Sequence, residues 1–196
     1  YFRKWIAQPT EEAQMLASVM FDLRAISGDA ALFGGLQEET LAAAKKNSIF
    51  RAHMAKNALK HRPPLSLFGG MATIGSGEHK NRIDMKHSGV VPIVDLGRLY
   101  ALMGELTVAN TRERLEAAKA AKLASPSGLD DLIDAFDLIS EMRLQHQARL
   151  IREGRRPDNF MAPATLSELE RGYLKDAFAV VKTMQSGAAN SYSMGS

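Results

Sequence analysis

The stretch SGLDDLIDAFDLISEMRLQHQARLIRE, residues 127–153, decides the fold class. Leu129, Leu132, Ile133, Phe136, Ile139, Leu150 and Ile151 recur at helical spacing and draw an apolar stripe down one side of a helix. The residues that interrupt the stripe say more than those that make it. Arg143 and Gln147 project into its middle, and His146 lies at its edge beside Ile139. A buried arginine is costly unless it is paired. Arg143 should therefore face a carboxylate, a water-filled cleft or an anionic ligand. A structural ion pair is as good an explanation as a ligand site.

The same period extends outward from this segment. Pro9-Thr10 ahead of Glu11 and Glu12 marks a helix start. Met15, Leu16, Val19, Leu23 and Ile26 share a face, which predicts a helix over 10–26 that Ser27-Gly28 stops. Asp22 borders that face, making it the natural partner for Arg143. Asp29 caps a second helix through about Lys45. Ser48 to Lys60 makes a third, with Ile49, Ala52, His53 and Leu59, closed by Arg62-Pro63-Pro64. Helices resume at 94–107, 111–122, 127–153 and 166–185, the last with Thr165 and Glu168 in capping-box positions. Between them, Leu67 to Ile74 and Arg82 to Lys86 are short, partly alternating and flanked by glycines. They predict a small irregular hairpin or an ordered loop near residues 65–92. No internal repeat is present. The expectation is an all-α bundle of about seven helices, occupying residues 10–186 as one domain. Residues 1–9 would close a preceding domain or linker, and 187–196 would be a flexible tail.

With 45% apolar and 24% charged residues, the 196-residue chain has the composition of an ordinary globular protein. Twenty-five basic against 22 acidic residues leave a charge of only +3. The densest basic patch, Arg143, Arg149, Arg152, Arg155 and Arg156, reads as a basic helix end and argues against nucleic-acid binding. Zero cysteines exclude disulfides, thiolate chemistry and Cys-ligated zinc. His53, His61, His79, His87 and His146 form no H-E-x-x-H pattern, so no metal site is expected. No apolar run approaches the roughly 20 residues of a membrane span, and a cytoplasmic location is the expectation. Tyr1-Phe2-Arg3-Lys4-Trp5 is not a signal peptide and reads as a cut inside a longer protein.

Ile74-Gly75-Ser76 and Ile83-Asp84-Met85-Lys86 have the outline of a nucleotidyltransferase core, a Gly-Ser turn followed by carboxylates one residue apart. Two carboxylates are needed to hold the metals that bridge the phosphates. Lys86 occupies the second position, so that metal site cannot form. No Walker A spacing is present either. Lys86-His87-Ser88-Gly89 is a polar turn. It is open to phosphate contact, with an exposed basic turn the commoner explanation.

Several stretches together resemble one family. They are Phe21–Asp29, Gly77–Asn81, Asp84–Gly89, Pro92–Arg98, Asn110–Leu115, Arg143–Gln147, Gly154–Asn159 and Leu166–Phe178. In order and spacing they resemble the C-terminal, helical substrate-binding domain of bacterial nucleotidyltransferases of the signal-transduction type. In that family the domain follows a catalytic module similar to protein-PII uridylyltransferase, often with cyclic-nucleotide-binding and CBS domains ahead. The resemblance implies a domain that is not catalytic by itself. The metal-holding carboxylates, Mg and a nucleoside triphosphate would belong to an upstream nucleotidyltransferase domain, and this chain alone would hold no cofactor. Asp22 and Arg24 match an Asp-x-Arg element. Lys86, His87, Arg98, Arg143, His146, Gln147 and Asn159 match recurrent polar positions, and the resemblance makes all nine substrate-binding candidates. Gly97 stands where the family carries alanine, and Gly69-Gly70 where it carries bulkier residues. The implied partners are the upstream domain and a PII-like protein or small metabolite as acceptor. The alternative is a regulatory module that docks a partner or sensor domain. A concave pocket lined by Arg143, His146 and Lys86 would favour the first reading, and a flat apolar helix face the second.

Overall fold

The computed structural model describes residues 1–66 and 70–193. Leu67-Phe68-Gly69 of the glycine-flanked stretch and the last three residues of the expected tail lie outside the described residues. Among those described, eight helices form the molecule: α1 (Phe2–Ala7), α2 (Glu11–Ser18), α3 (Ala30–Lys46), α4 (Ser48–Ala58), α5 (Val91–Gly104), α6 (Thr111–Ala120), α7 (Pro126–Arg152) and α8 (Glu168–Ser193). Two short strands, β1 (Ile83–Asp84) and β2 (Phe160–Met161), pair antiparallel with Ile83 opposite Met161 and Asp84 opposite Phe160. The all-α class follows directly from the helical period.

The most apolar helix sits in the middle. Helix α5 starts with proline in its first turn, where the missing N–H is not needed. It buries Ile93, Leu96, Leu99, Tyr100, Ala101 and Leu102 against α3, α4, α6 and α8. Burial pushes the Tyr100 phenol up to about 12. Helix α7, capped by the Ser125 hydroxyl on the Gly128 N–H, packs along α8 and α6. Its buried stripe is Leu129, Leu132, Ile133, Ala135, Ile139, Met142, His146 and Leu150. The stripe is therefore rotated from the sequence expectation. His146 is buried at 7% exposure, Arg143 and Gln147 are half-buried at the margin, and Ile151 is exposed.

The N-terminal segment departs further. Helix α2 ends at Ser18 and tightens into a 3₁₀ turn over Val19–Asp22, after which Leu23 is extended. Helix α2 already turns Ala13, Gln14, Ala17 and Ser18 inward and leaves Met15 63% exposed, and the change of winding then buries Met20 and Phe21 and leaves Ile26 91% exposed. The apolar face expected over 10–26 assumed one unbroken α-helix, and it points the wrong way. Helix α1 packs on α2 and α3 with Ile6 in the common core. At the other end, the Ser167 hydroxyl accepts from the Glu170 N–H at 3.2 Å, and Glu170 accepts from the Ser167 N–H at 2.7 Å. The capping box is thus Ser167–Glu170, two residues beyond the expected one, because Thr165 is taken up in a preceding 3₁₀ turn. Helix α8 continues past residue 185 to Ser193, burying Ala188.

Strand β1 runs into a wide π-type turn, Lys86–Val90, that leads into α5. Gly89 is buried in this turn, and a Cβ there would come within 2.9 Å of Ile139 Cγ2 on α7. Replacing Gly89 by alanine is expected to cost about 1–3 kcal/mol through overpacking. Urea unfolding should show a lower midpoint at unchanged slope.

Candidate functional site

Polar side chains that the helices cannot bury singly gather in one seam around the β1–β2 ribbon and the face of α5 next to it. One half of the seam is charge-balanced. Asp22, at the end of the 3₁₀ turn, is bound by Arg98 on α5 and lies 3.2 Å from Arg114 Nη2 on α6. Arg98 Nη1 also donates to Asp95 at 3.0 Å, one turn earlier on α5. Arg114 is fully buried. Its Nη2 donates to the carbonyls of Phe21 and of Ala109, the latter at 2.9 Å, and its Nε to that of Val108 at 3.0 Å, while Nη1 has no partner. Two arginines meet two aspartates here. Burial lowers the Arg114 pKa despite the pull of Asp22, and burial raises that of Asp95 despite Arg98. On Arg98, burial pulls down and the two carboxylates, Asp22 and Asp95, together outweigh it, leaving the guanidinium above its ordinary value.

The seam continues at His61, whose ring centroid lies 6.0 Å from that of His87. His87 Nδ1 is 2.8 Å from Asp84 Oδ2, and Asp84 Oδ1 accepts from the backbone N–H of both Lys86 and His87 at 3.0 Å. Burial would raise the Asp84 pKa, and these bonds outweigh it, holding the carboxyl low. They also fix the backbone that carries the exposed Lys86.

The other half of the seam is not balanced. Arg143 Nε donates to Asn159 Oδ1 at 2.7 Å, and Gln147 Nε2 donates to the same oxygen at 3.2 Å. Among the described residues Arg143 has no carboxylate within 4 Å, and neither Nη has a partner, so its charge faces only a neutral amide. The nearby acid is already engaged. Asp158 Oδ1 is 2.8 Å from His146 Nε2 and accepts from the Phe160 N–H at 2.8 Å, while Arg82 approaches Oδ2 at 3.9 Å. The Asn159 carbonyl accepts from the Met85 N–H at 2.9 Å, tying the Arg143 side of the seam to the residue before Lys86. His79 stacks on Phe160 with centroids 3.5 Å apart.

Burial would raise the Asp158 pKa, but hydrogen bonds from His146 and the Phe160 N–H outweigh it and set it below the ordinary 3.8. A carboxyl lowered on folding adds stability above its unfolded pKa and loses it as pH falls through the folded value. Chemical unfolding between pH 5 and pH 2 should therefore weaken more steeply for the native chain than for Asp158→Asn, which cannot titrate.

The structure thus brings together Asp22, Arg98 and His87 on one side, and Arg143, His146, Gln147 and Asn159 on the other, with Lys86 at the turn between. Arg24 is exposed outside the seam, without a partner among the described residues. The expected Asp22–Arg143 pair is absent: the winding change at Val19 delivers Asp22 to the arginines of α5 and α6. A hollow of about 230 Å³ lies beside His146, but Met142, Gln145, Arg149, Thr165 and Glu170 share its lining and Arg143 and Lys86 do not, so it is not the pocket of Arg143, His146 and Lys86 expected for substrate binding. Sequence reasoning missed Asp84, Asp95, Arg114 and Asp158. The three-residue spacing from Asp95 to Arg98 on a helix was the available signal for one of them.

Fold and seam together make an all-α bundle in which Arg143 is hydrogen-bonded to a neutral amide, Asn159, whose carbonyl also accepts from Met85, the residue before Lys86. Residues 48–192, more than half of the chain, match the family described as "Putative nucleotidyltransferase substrate binding domain", and the chain belongs to that family. The match covers all of the seam except Asp22, and it leaves out Arg24. No curated protein and no solved structure matches the chain.

Proposed function

We propose that this chain is the part of a bacterial signal-transduction nucleotidyltransferase that binds the acceptor or the nucleotide and does no chemistry by itself. The observation that carries the reading is Arg143, a half-buried guanidinium whose protein partner is neutral. An arginine held in place and left without a counter-charge is suited to receive the oxygens of a phosphate or carboxylate in a fixed fork geometry. Lys86 would add a second cation from the Asp84-braced turn, and Asn159 and Gln147 would orient the guanidinium. Among the described residues no group of three or more His, Asp or Glu side chains is placed to hold a metal ion. Nucleotidyl transfer, with Mg and a nucleoside triphosphate, is assigned to an upstream nucleotidyltransferase domain. This chain contributes preorganised positive charge, a PII-like protein or a small metabolite being the acceptor.

The test is transfer of label from nucleoside triphosphates to PII-like proteins and to small metabolites by the intact enzyme. Transfer that depends on Arg143 and Lys86 is the expected result. Full transfer in an Arg143→Met, Lys86→Met double variant would overturn the reading. A second reading, a regulatory docking module, is favoured by the exposed apolar residues Met15, Val19, Leu23 and Ile26. It predicts a binding partner and no dependence on either cation. No described helix is long and apolar enough to cross a membrane.

A further inference from the structure

Away from the seam, α2 and α4 diverge and leave a groove of about 690 Å³, within the size range of small-molecule sites. We infer that this groove is a second ligand site, for a small organic phosphate carrying at least two negative charges. Its wall is basic. Lys56 from the last turn of α4, Lys60 just beyond it and Arg62 in the following turn all line it, facing one described carboxylate, Glu12. None of the three cations has an ion-pair partner among the described residues, although thirteen ion pairs tie up charges elsewhere on the molecule. Three exposed like charges lining one concavity, against one described carboxylate, give it a positive potential that a polyanion would neutralise.

The floor specifies more than charge. Met15 and Leu59 supply apolar surface, and His53 and Asn57 supply hydrogen-bonding groups beside it. Met15 is 63% exposed. A flexible thioether against a ring or aliphatic portion, with ammonium groups on the phosphates, matches an organic phosphate better than a bare ion. The inference does not rest on the Arg143 reading, because the groove shares no residue with the seam.

Isothermal titration of the 196-residue chain with ADP and with inorganic pyrophosphate tests it. The expected result is saturable binding, tighter for ADP, that weakens with added salt. The exposed pair Lys56→Gln with Lys60→Gln should weaken binding at least about tenfold, with an unchanged circular dichroism spectrum. Lys122→Gln, outside the groove, should leave it intact. No binding by either probe, equal affinity for the two, or binding that survives the double substitution would each overturn the site. Loss of ADP binding in Arg143→Met but not in the lysine pair would also overturn it, by placing the ligand in the seam.

Discussion

Replacing Arg114 by leucine unfolds the packing of α6 against the N-terminal turn and lowers the stability of the whole bundle by about 3–5 kcal/mol. The magnitude follows from what the guanidinium holds. Its Nη2 donates to the carbonyls of Phe21 and Ala109 and to Asp22, and its Nε donates to the Val108 carbonyl. Leucine fills part of the volume but leaves the three carbonyls without that donor, each a desolvation cost of about 1–3 kcal/mol if it stays buried, while Asp22 keeps Arg98. Against a typical domain stability of about 5–15 kcal/mol, such a loss is severe. Lysine keeps the charge but not the fork, so Arg114→Lys should recover only part of the stability. Denaturant unfolding of both variants checks this, and a leucine variant within about 1 kcal/mol of the native chain would deny Arg114 its structural role.

Replacing Arg143 by methionine has the opposite signature. Its main bond is to Asn159 Oδ1, which still accepts from Gln147 when the arginine is gone. The methylene stem is replaced by one of similar length, so the stability loss should stay near 1 kcal/mol. If the guanidinium meets an anionic substrate, the intact enzyme should lose transfer by roughly a hundredfold, the scale of removing one preorganised donor. Arg143→Lys should restore part of it. Equal losses of folding and transfer would make Arg143 structural.

The contrast between these two arginines shows what the sequence could and could not carry. Helix periods placed α3, α4, α6 and α7 nearly correctly, because amphipathic stripes and caps are local properties, whereas α5 begins three residues early and α8 runs through residues 187–193 of the expected tail. The four residues Arg143, His146, Gln147 and Asn159 were candidates from the sequence, and the structure brings them together beside β2. Asp22 was legible as a polar residue on an apolar helix, yet its partner was not. One change of winding at Val19 rotates everything after it, and no local pattern announces that change. Arg114 was invisible for a different reason: on α6 it looks like any charged residue in a polar helix, and only tertiary packing buries it. His146 and Arg143 exchanged places on α7 because Ala135 and Met142, left out of the expected stripe, are buried on the His146 side. That shifted the centre of the wheel.

The most direct measurement is the side-chain Nε–H resonance of Arg143, followed by NMR in the 196-residue chain during titration with a nucleoside triphosphate and then with the acceptor that the transfer assay identifies. An anion received by the guanidinium should shift this resonance saturably with one of them. The shift should persist when Lys56 and Lys60 are replaced by glutamine and vanish at high salt. A resonance that stays still while both ligands demonstrably bind elsewhere would contradict the assignment of Arg143 to substrate.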